Sequence, residues 1–132
     1  AKKIYDAGFI PILEPEVNIH SEDKVKSEKI LKDEIMKRLR DLDDQRYIFK
    51  LSIPSQADLY QEIIEHPNVV RVVALSGGYS QKDAVDKLSE NHNMIASFSR
   101  ALLQDLRVDQ SDEEFDRALK EAVIKIYKAS IT

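Results

Sequence analysis

The sequence predicts an α/β fold built from four parallel βα units. Its hydrophobic pattern changes repeatedly from a short apolar run to a segment with apolar residues at helical spacing. Strands that alternate with helices in this way pair in parallel. A chain of 132 residues, 42% hydrophobic and 33% charged, is long enough to bury a core of this kind.

The first unit begins after Gly8, where FIPIL at 9–13 predicts a short buried strand. A helix is expected from about Glu22 to Leu42, because apolar residues recur there at helical spacing and the charged residues between them form a solvated face. The residues that this helix directs inward are Leu31, Ile35, Leu39 and Leu42.

The second unit contains YIFKLSI at 47–53, a predicted strand that ends at Pro54. Ser55 and Asp58 resemble a capping pair for the helix that follows. The sequence His66-Pro67-Asn68 stops this helix. Its apolar stripe consists of Leu59, Tyr60, Ile63 and Ile64.

The third unit has VVRVVAL at 69–75 as its strand, which SGG at 76–78 closes. Ser80 and Asp83 mark the start of the next helix. The inward residues of this helix are Ala84, Val85 and Leu88.

The fourth unit has MIASFS at 94–99 as a short strand, followed by a short helix in ALLQDLRV. Ser111 and Glu114 form a capping box at the start of the last helix. Its apolar stripe has the clearest helical period in the chain and consists of Phe115, Ala118, Leu119, Ala122, Val123, Ile126 and Tyr127.

The spacing of these units favours half of a (βα)8 barrel, in which roughly 250 residues hold eight units. An open flavodoxin-like sheet is the structural alternative, but it normally has a phosphate loop after its first strand, and the sequence has none there. Half a barrel has two unpaired strand edges, which need to be covered by the missing half or by another copy.

Lys50 interrupts an apolar strand and is a candidate catalytic residue. Strand alternation places it on the face that lines the lumen of a barrel, near the C-terminal ends of the strands. The same alternation directs Glu14 and Glu16 to the mouth of the lumen, with Pro15 between them. A solvated edge lysine and a polar strand end are the plainer interpretations. An uncharged lysine amine near carboxylates, however, attacks carbonyl carbons and forms a Schiff base.

Two later segments predict a phosphate site. Glycines in SGG allow backbone N–H groups to approach an anion closely, although most such turns are only turns. An arginine follows the fourth strand and can make a bidentate ionic contact. The residues of this predicted cradle are Ser76, Gly77, Ser99 and Arg100.

Composition excludes several other functions. The net charge of −4 is contrary to a nucleic-acid partner. The chain has no cysteine, which excludes thiolate sites and fits a reducing, cytoplasmic location. No apolar run approaches the roughly 20 residues that span a membrane, so a membrane is not an expected partner.

A metal site is not predicted either. Asp41, Asp43 and Asp44 resemble a calcium loop only superficially, because the Gly and the terminal Glu of such a loop are missing. The histidines are scattered over loops and helix ends, at His20, His66 and His92.

Together these segments resemble the bacterial branch of the class I fructose-1,6-bisphosphate aldolases. The resemblance is carried by GFIPILEPEVN, FKLSIPS, HPNVVRVVALSGGYS and ASFSRAL, in this order, and runs from about Ala7 to the C-terminus. It implies strands five to eight of the barrel, so residues 1–132 are expected to be a single C-terminal half-barrel domain. The start AKKIYDAGF, without an initiator Met, suggests a fragment of a chain about twice as long.

The resemblance also implies a reaction, the reversible cleavage of fructose 1,6-bisphosphate to dihydroxyacetone phosphate and glyceraldehyde 3-phosphate in glycolysis. It implies that Lys50 forms the Schiff base, that Glu14 is the acid/base, that Glu16 supports it, and that no metal or organic cofactor is needed. The phosphorylated sugar would be held by Ser76, Gly77, Ser99 and Arg100.

The sequence departs from the better-known animal members of this family at three places. They carry Tyr where this chain has Phe98, Gly where it has Ser99, and a C-terminal Tyr that is absent here. Two alternatives stay open: a catalytically incompetent phosphate-binding half-barrel fragment, and a related Schiff-base aldolase for another phosphosugar.

Overall fold

The computed structural model describes residues 1–42 and 44–132; Asp43, one of the three carboxylates compared with a calcium loop, lies outside the described residues. Helices and strands alternate along the described chain up to the last strand, which two helices follow. In order they are α1 (Lys2–Asp6), β1 (Ile12–Leu13), α2 (Lys24–Leu39), β2 (Tyr47–Ser52), α3 (Gln61–Ile64), β3 (Val69–Leu75), α4 (Gln81–Ser89), β4 (Ile95–Ala96), α5 (Arg100–Leu103) and α6 (Asp112–Ala129).

The four strands form one parallel sheet in the order β1-β2-β3-β4. The predicted α/β fold with parallel βα units is therefore confirmed. β2 and β3 are the long central strands, paired from Tyr47 with Val69 to Ser52 with Leu75. β1 and β4 are short edge strands, each paired over two residues. Parallel strands have their C-terminal ends on the same side of the sheet, and the polar residues of the sequence motifs lie at these strand ends.

One face of β2 packs into the hydrophobic core. Tyr47, Phe49, Leu51 and Ile53 are all buried, as strand alternation predicts. The opposite face of the sheet is only half-buried at Ile48, Lys50, Val73 and Ile95. The sheet therefore has a dry face toward the helices and a partly open face that carries Lys50.

The run at residues 9–13 is not the buried strand that its composition predicts. Only Ile12 and Leu13 pair with β2, and Phe9 is 68% exposed. The prediction was wrong because an edge strand has a neighbour on one side only, so an apolar run there does not become enclosed.

The predicted capping pair Ser55 and Asp58 is also absent. α3 begins after Tyr60, and no side chain of the described residues caps it. Ser55 Oγ instead accepts a hydrogen bond from Lys24, and the Asp58 carboxylate accepts from the backbone N–H of His92. This backbone hydrogen bond is the main cause that holds the pKa of Asp58 below its ordinary value, and a hydrogen bond with the His92 ring adds to it. Tertiary partners have replaced the local cap.

α2 follows its predicted stripe, since Ile35 and Leu39 are buried. The prediction of a solvated charged face fails, however, at Lys24 and Glu28, which are both buried. Their side chains form an ion pair one helical turn apart, so the charges compensate each other inside the protein.

The last two predicted helix starts are confirmed. Ser80 Oγ accepts from the backbone N–H of Asp83, and Ser111 with Glu114 forms a complete capping box. The strand predicted at 94–99 is limited to β4, and the apolar stripe of α6 is only partly covered, with Val123 and Tyr127 exposed. α6 packs against α4, α5 and the two-residue strand β4, and these contacts leave Val123 and Tyr127 uncovered. Within the described ranges, no helix combines the length and low polarity needed to cross a membrane.

Candidate functional site

The candidate site lies where the four parallel strands end. Lys50 is in the C-terminal half of β2, and Glu14 directly follows β1. Ser76 directly follows β3, and Arg100 begins α5 after β4. Residues that are far apart in sequence thus lie together at the C-terminal ends of the strands, because the strands run in parallel.

The Lys50 ammonium and the Glu14 carboxylate form an ion pair, with 2.7 Å between Nζ and Oε2. The lysine side chain is 28% exposed and the glutamate side chain 53% exposed. A pair this open to water contributes only about 0–1 kcal/mol to stability. Folding stability therefore gives little reason for a lysine in the middle of an apolar strand.

These residues line a small cavity of about 190 Å³. The structure brings together around it all the site residues that the sequence predicts, and Leu75 and Ser97 complete the lining. The predicted members are Glu14, Glu16, Lys50, Ser76, Gly77, Ser99 and Arg100. Their proximity is a feature of the structure, whereas their catalytic and binding roles remain predictions.

The glycine turn after β3 has a backbone that side chains disfavour. Gly77 and Gly78 have φ angles of +61° and +104°. A Cβ at Gly77 would lie 2.8 Å from Ile19 Cγ2, and one at Gly78 would lie 3.8 Å from an Arg100 guanidinium nitrogen. The turn and the guanidinium are thus close neighbours, which gives the cavity a positive wall suited to an anion.

A second hollow, about 580 Å³, adjoins the first and shares Lys50, Ser97 and Ser99 with it. Its other walls come from β4, α5 and α6 and are mostly apolar, with Ile95, Ile126 and Tyr127 among them. Lys50 therefore stands between a polar cavity and a wider apolar one.

The buried pair Lys24–Glu28 supports the end of β2 and was missed by the sequence analysis. Lys24 Nζ donates to the carbonyl of Ile53 and to Ser55 Oγ, each at 3.0 Å. Glu28 Oε2 accepts the backbone N–H of Ser55 at 3.0 Å. The spacing of four residues between Lys24 and Glu28 was the available signal, but that spacing is common on solvated faces too.

The charge of Glu28 also acts on a neighbouring ring. Burial, and then the nearby Glu28 carboxylate, raise the pKa of Tyr60 well above its ordinary value. The phenol is therefore neutral throughout the physiological range.

No known protein-family model matches the chain. Within residues 1–42 and 44–132, no three histidine, aspartate or glutamate side chains are grouped so as to hold a metal ion. The polar cavity contains a primary amine, two carboxylates, a glycine turn and a guanidinium. Such groups can form an imine with a carbonyl compound that carries a negative group.

Proposed function

We propose that this chain is the C-terminal half-barrel of a class I fructose-1,6-bisphosphate aldolase, a carbon–carbon lyase. The observation that carries the proposal is the Lys50–Glu14 pair, at 2.7 Å, in a cavity that Ser76, Gly77 and Arg100 also line. The order of the four resembling segments supports the same conclusion.

The reaction begins with the Lys50 amine, which becomes a nucleophile when it transfers its proton to Glu14. Nitrogen attacks the ketone carbon of fructose 1,6-bisphosphate, and Glu14 protonates the departing hydroxyl, so that water leaves and an iminium forms. The carbon–carbon bond then breaks as its electrons move into the iminium, and a carboxylate takes the proton of the adjacent hydroxyl. Glyceraldehyde 3-phosphate departs, the carboxylic acid returns its proton to the enamine carbon, and water hydrolyses the resulting iminium to release dihydroxyacetone phosphate and the free lysine.

A phosphate group of the substrate would lie against the turn at Gly77 and the guanidinium of Arg100. A guanidinium offers two parallel donors to a phosphate, and the turn adds backbone donors. The iminium supplies the electron sink, so this mechanism uses no metal or organic cofactor. Glu16, in the same cavity, would assist the proton transfers of Glu14.

The barrel assignment is supported by the parallel strand order and the two short edge strands. We propose that both edges are covered in the working protein, by an N-terminal half-barrel or by another copy of this chain. The exposed apolar residues of the first edge, Phe9, Ile10 and Ile12, are consistent with such a cover.

Reductive trapping tests the proposal directly. Incubation with dihydroxyacetone phosphate and sodium borohydride is expected to add one reduced adduct, which peptide mass spectrometry will place on Lys50. Lys24 serves as an internal control, because its amine is buried and bonded to three groups. An adduct distributed over surface lysines, or none at Lys50, would refute the proposed role.

A phosphate-binding half-barrel without catalysis is the second candidate. It is favoured by the exposure of the Lys50–Glu14 pair, because water weakens the electrostatic contacts on which catalysis would depend. Binding of inorganic phosphate without any trapped adduct would select this candidate over the aldolase.

Arg100→Met is expected to raise the concentration of dihydroxyacetone phosphate that gives half-maximal trapping by about 10- to 100-fold, since hydrogen bonds to a charged group contribute about 1.5–3 kcal/mol. Dihydroxyacetone, which lacks the phosphate, should trap equally in both proteins. Arg107→Met, at an exposed position outside the cavity, is the matched control. An equal loss with both ketones would show that Arg100 does not recognise phosphate.

A further inference from the structure

The segment that carries Glu14 leaves the sheet early. β1 ends at Leu13, opposite Phe49, and Pro15 follows one residue beyond Glu14. Proline has no N–H and cannot donate to a ladder with β2. The carboxylate is thus on a stretch of backbone that ordinary strand pairing does not hold beside Lys50.

Ser52 restores the missing connection with its side chain. Its hydroxyl donates to the carbonyl of Val17 and accepts from the N–H of the same residue, both at 2.9 Å. The residue is 1% exposed, so water does not compete with these bonds. One hydroxyl therefore substitutes for the two backbone groups that another rung of the ladder would have supplied.

The contact closes a short ring of chain around the ion pair. Ser52 lies two residues after Lys50 on the same face of β2, and Val17 lies three residues after Glu14. Pairing of Leu13 with Phe49 and the bonds of Ser52 to Val17 fix the backbone on both sides of Glu14, so that its side chain starts beside the amine.

The strand side of the ring is itself anchored. Lys24 Nζ bonds the carbonyl of Ile53, the residue after Ser52, and Glu28 bonds the N–H of Ser55. The backbone around Ser52 is consequently held in place, and Ser52 in turn holds the segment from Glu14 to Val17.

We infer that Ser52 is a positioning residue that sets the Glu14 carboxylate against the Lys50 amine through Val17. Its consequence for catalysis rests on the proposed function. Its consequence for geometry does not, and the two can be measured separately.

The geometry is tested by zero-length cross-linking. A water-soluble carbodiimide joins an amine to a carboxylate in contact with it, and peptide mass spectrometry quantifies the amide. The Lys82–Asp86 pair, at 2.5 Å on the exposed side of α4, is an internal reference in the same sample. We expect Ser52→Ala to lower the yield of the Lys50–Glu14 link several-fold relative to this reference. Ser52→Thr, which keeps the hydroxyl, should restore most of the yield.

An unchanged Lys50–Glu14 yield in Ser52→Ala would overturn the inference, as would the absence of this link in the unmodified protein. If Ser52→Ala does not fold, as judged by near-ultraviolet circular dichroism, Ser52→Cys takes its place. A thiol occupies a similar space but is a much weaker donor and acceptor, so the same loss of yield is expected.

The catalytic consequence is tested by a double-mutant cycle on the rate of imine trapping with dihydroxyacetone phosphate. Misplacing a catalytic group by about 1 Å can cost about 10²-fold in rate, so a loss of up to this size is expected for Ser52→Ala. In a Glu14→Gln background the same change should cost nothing further, because the carboxylate that it positions is gone. Equal losses in both backgrounds would indicate a general structural role and overturn the inference.

Failure of the proposed function gives a different result from failure of this inference. If the unmodified protein forms no adduct at Lys50, the aldolase proposal fails, and the cross-linking yields still decide whether Ser52 positions Glu14.

Discussion

Under the proposed aldolase mechanism, Lys50→Met is expected to lower the rate of fructose 1,6-bisphosphate cleavage by a factor on the order of 10⁴ or more, as removal of a covalent nucleophile does in other enzymes. No other amine lines the polar cavity in the described part of the chain. The other cationic side chain of this cavity, the guanidinium of Arg100, does not form imines. A coupled assay for glyceraldehyde 3-phosphate, together with borohydride trapping, measures both steps.

Lys50→Arg is the informative control, because it keeps the positive charge opposite Glu14 and removes only the nucleophile. Both variants should bind inorganic phosphate like the unmodified protein, since the residues proposed to bind phosphate lie after β3 and at the start of α5. Lys82→Met, which removes an exposed lysine, should leave every step unchanged. Cleavage that persists in Lys50→Met would rule out the imine mechanism at this residue.

The geometry around Lys50 was predictable because β2 is a central strand. Both of its neighbours are in place, so alternation of side chains decides which residues are buried. Tyr47 and Leu51 are buried and Lys50 is on the opposite face, as the period of two requires. Glu14 reaches Lys50 because β1 is parallel to β2, so that the C-terminal ends of the two strands lie side by side.

The edges of the sheet were less predictable, for a physical reason. A sequence shows that residues 9–13 and 94–99 are apolar, but not how much surface is available to cover them. Edge strands pair on one side, and β1 and β4 shorten to two residues each. The exposure of these apolar residues depends on what packs against the edge strands rather than on the local sequence.

Polar tertiary contacts were the least predictable features. Ser55 and Asp58 have the spacing of a cap, yet their partners are Lys24 and His92, far away in sequence. Ser52 was placed on the correct face, but its bond to Val17 depends on the path of the chain after Pro15. Local patterns identify donors and acceptors, whereas the fold decides which of them meet.

Glu28→Ala is expected to destabilise the protein by about 3–5 kcal/mol, because it leaves the Lys24 ammonium buried without a counter-charge. Glu28 is fully buried, and its loss also frees the N–H of Ser55. For a chain of this size the change corresponds to a fall in Tm of roughly 10–20 °C. Urea unfolding followed by circular dichroism measures the difference, with an unchanged m-value as the sign that the unfolded state is unaffected.

The double variant Lys24→Met/Glu28→Leu separates the charge penalty from packing. Removing both charges together should recover much of the loss, since an apolar pair of similar volume replaces an ion pair at little cost. The exposed pair Lys82–Asp86 has the same spacing of four residues, and Lys82→Met should cost at most about 0.5 kcal/mol. If Glu28→Ala were as mild as Lys82→Met, Lys24 would have to reach water, and the segment after β2, at Ile53 and Ser55, would not be held by a buried charge.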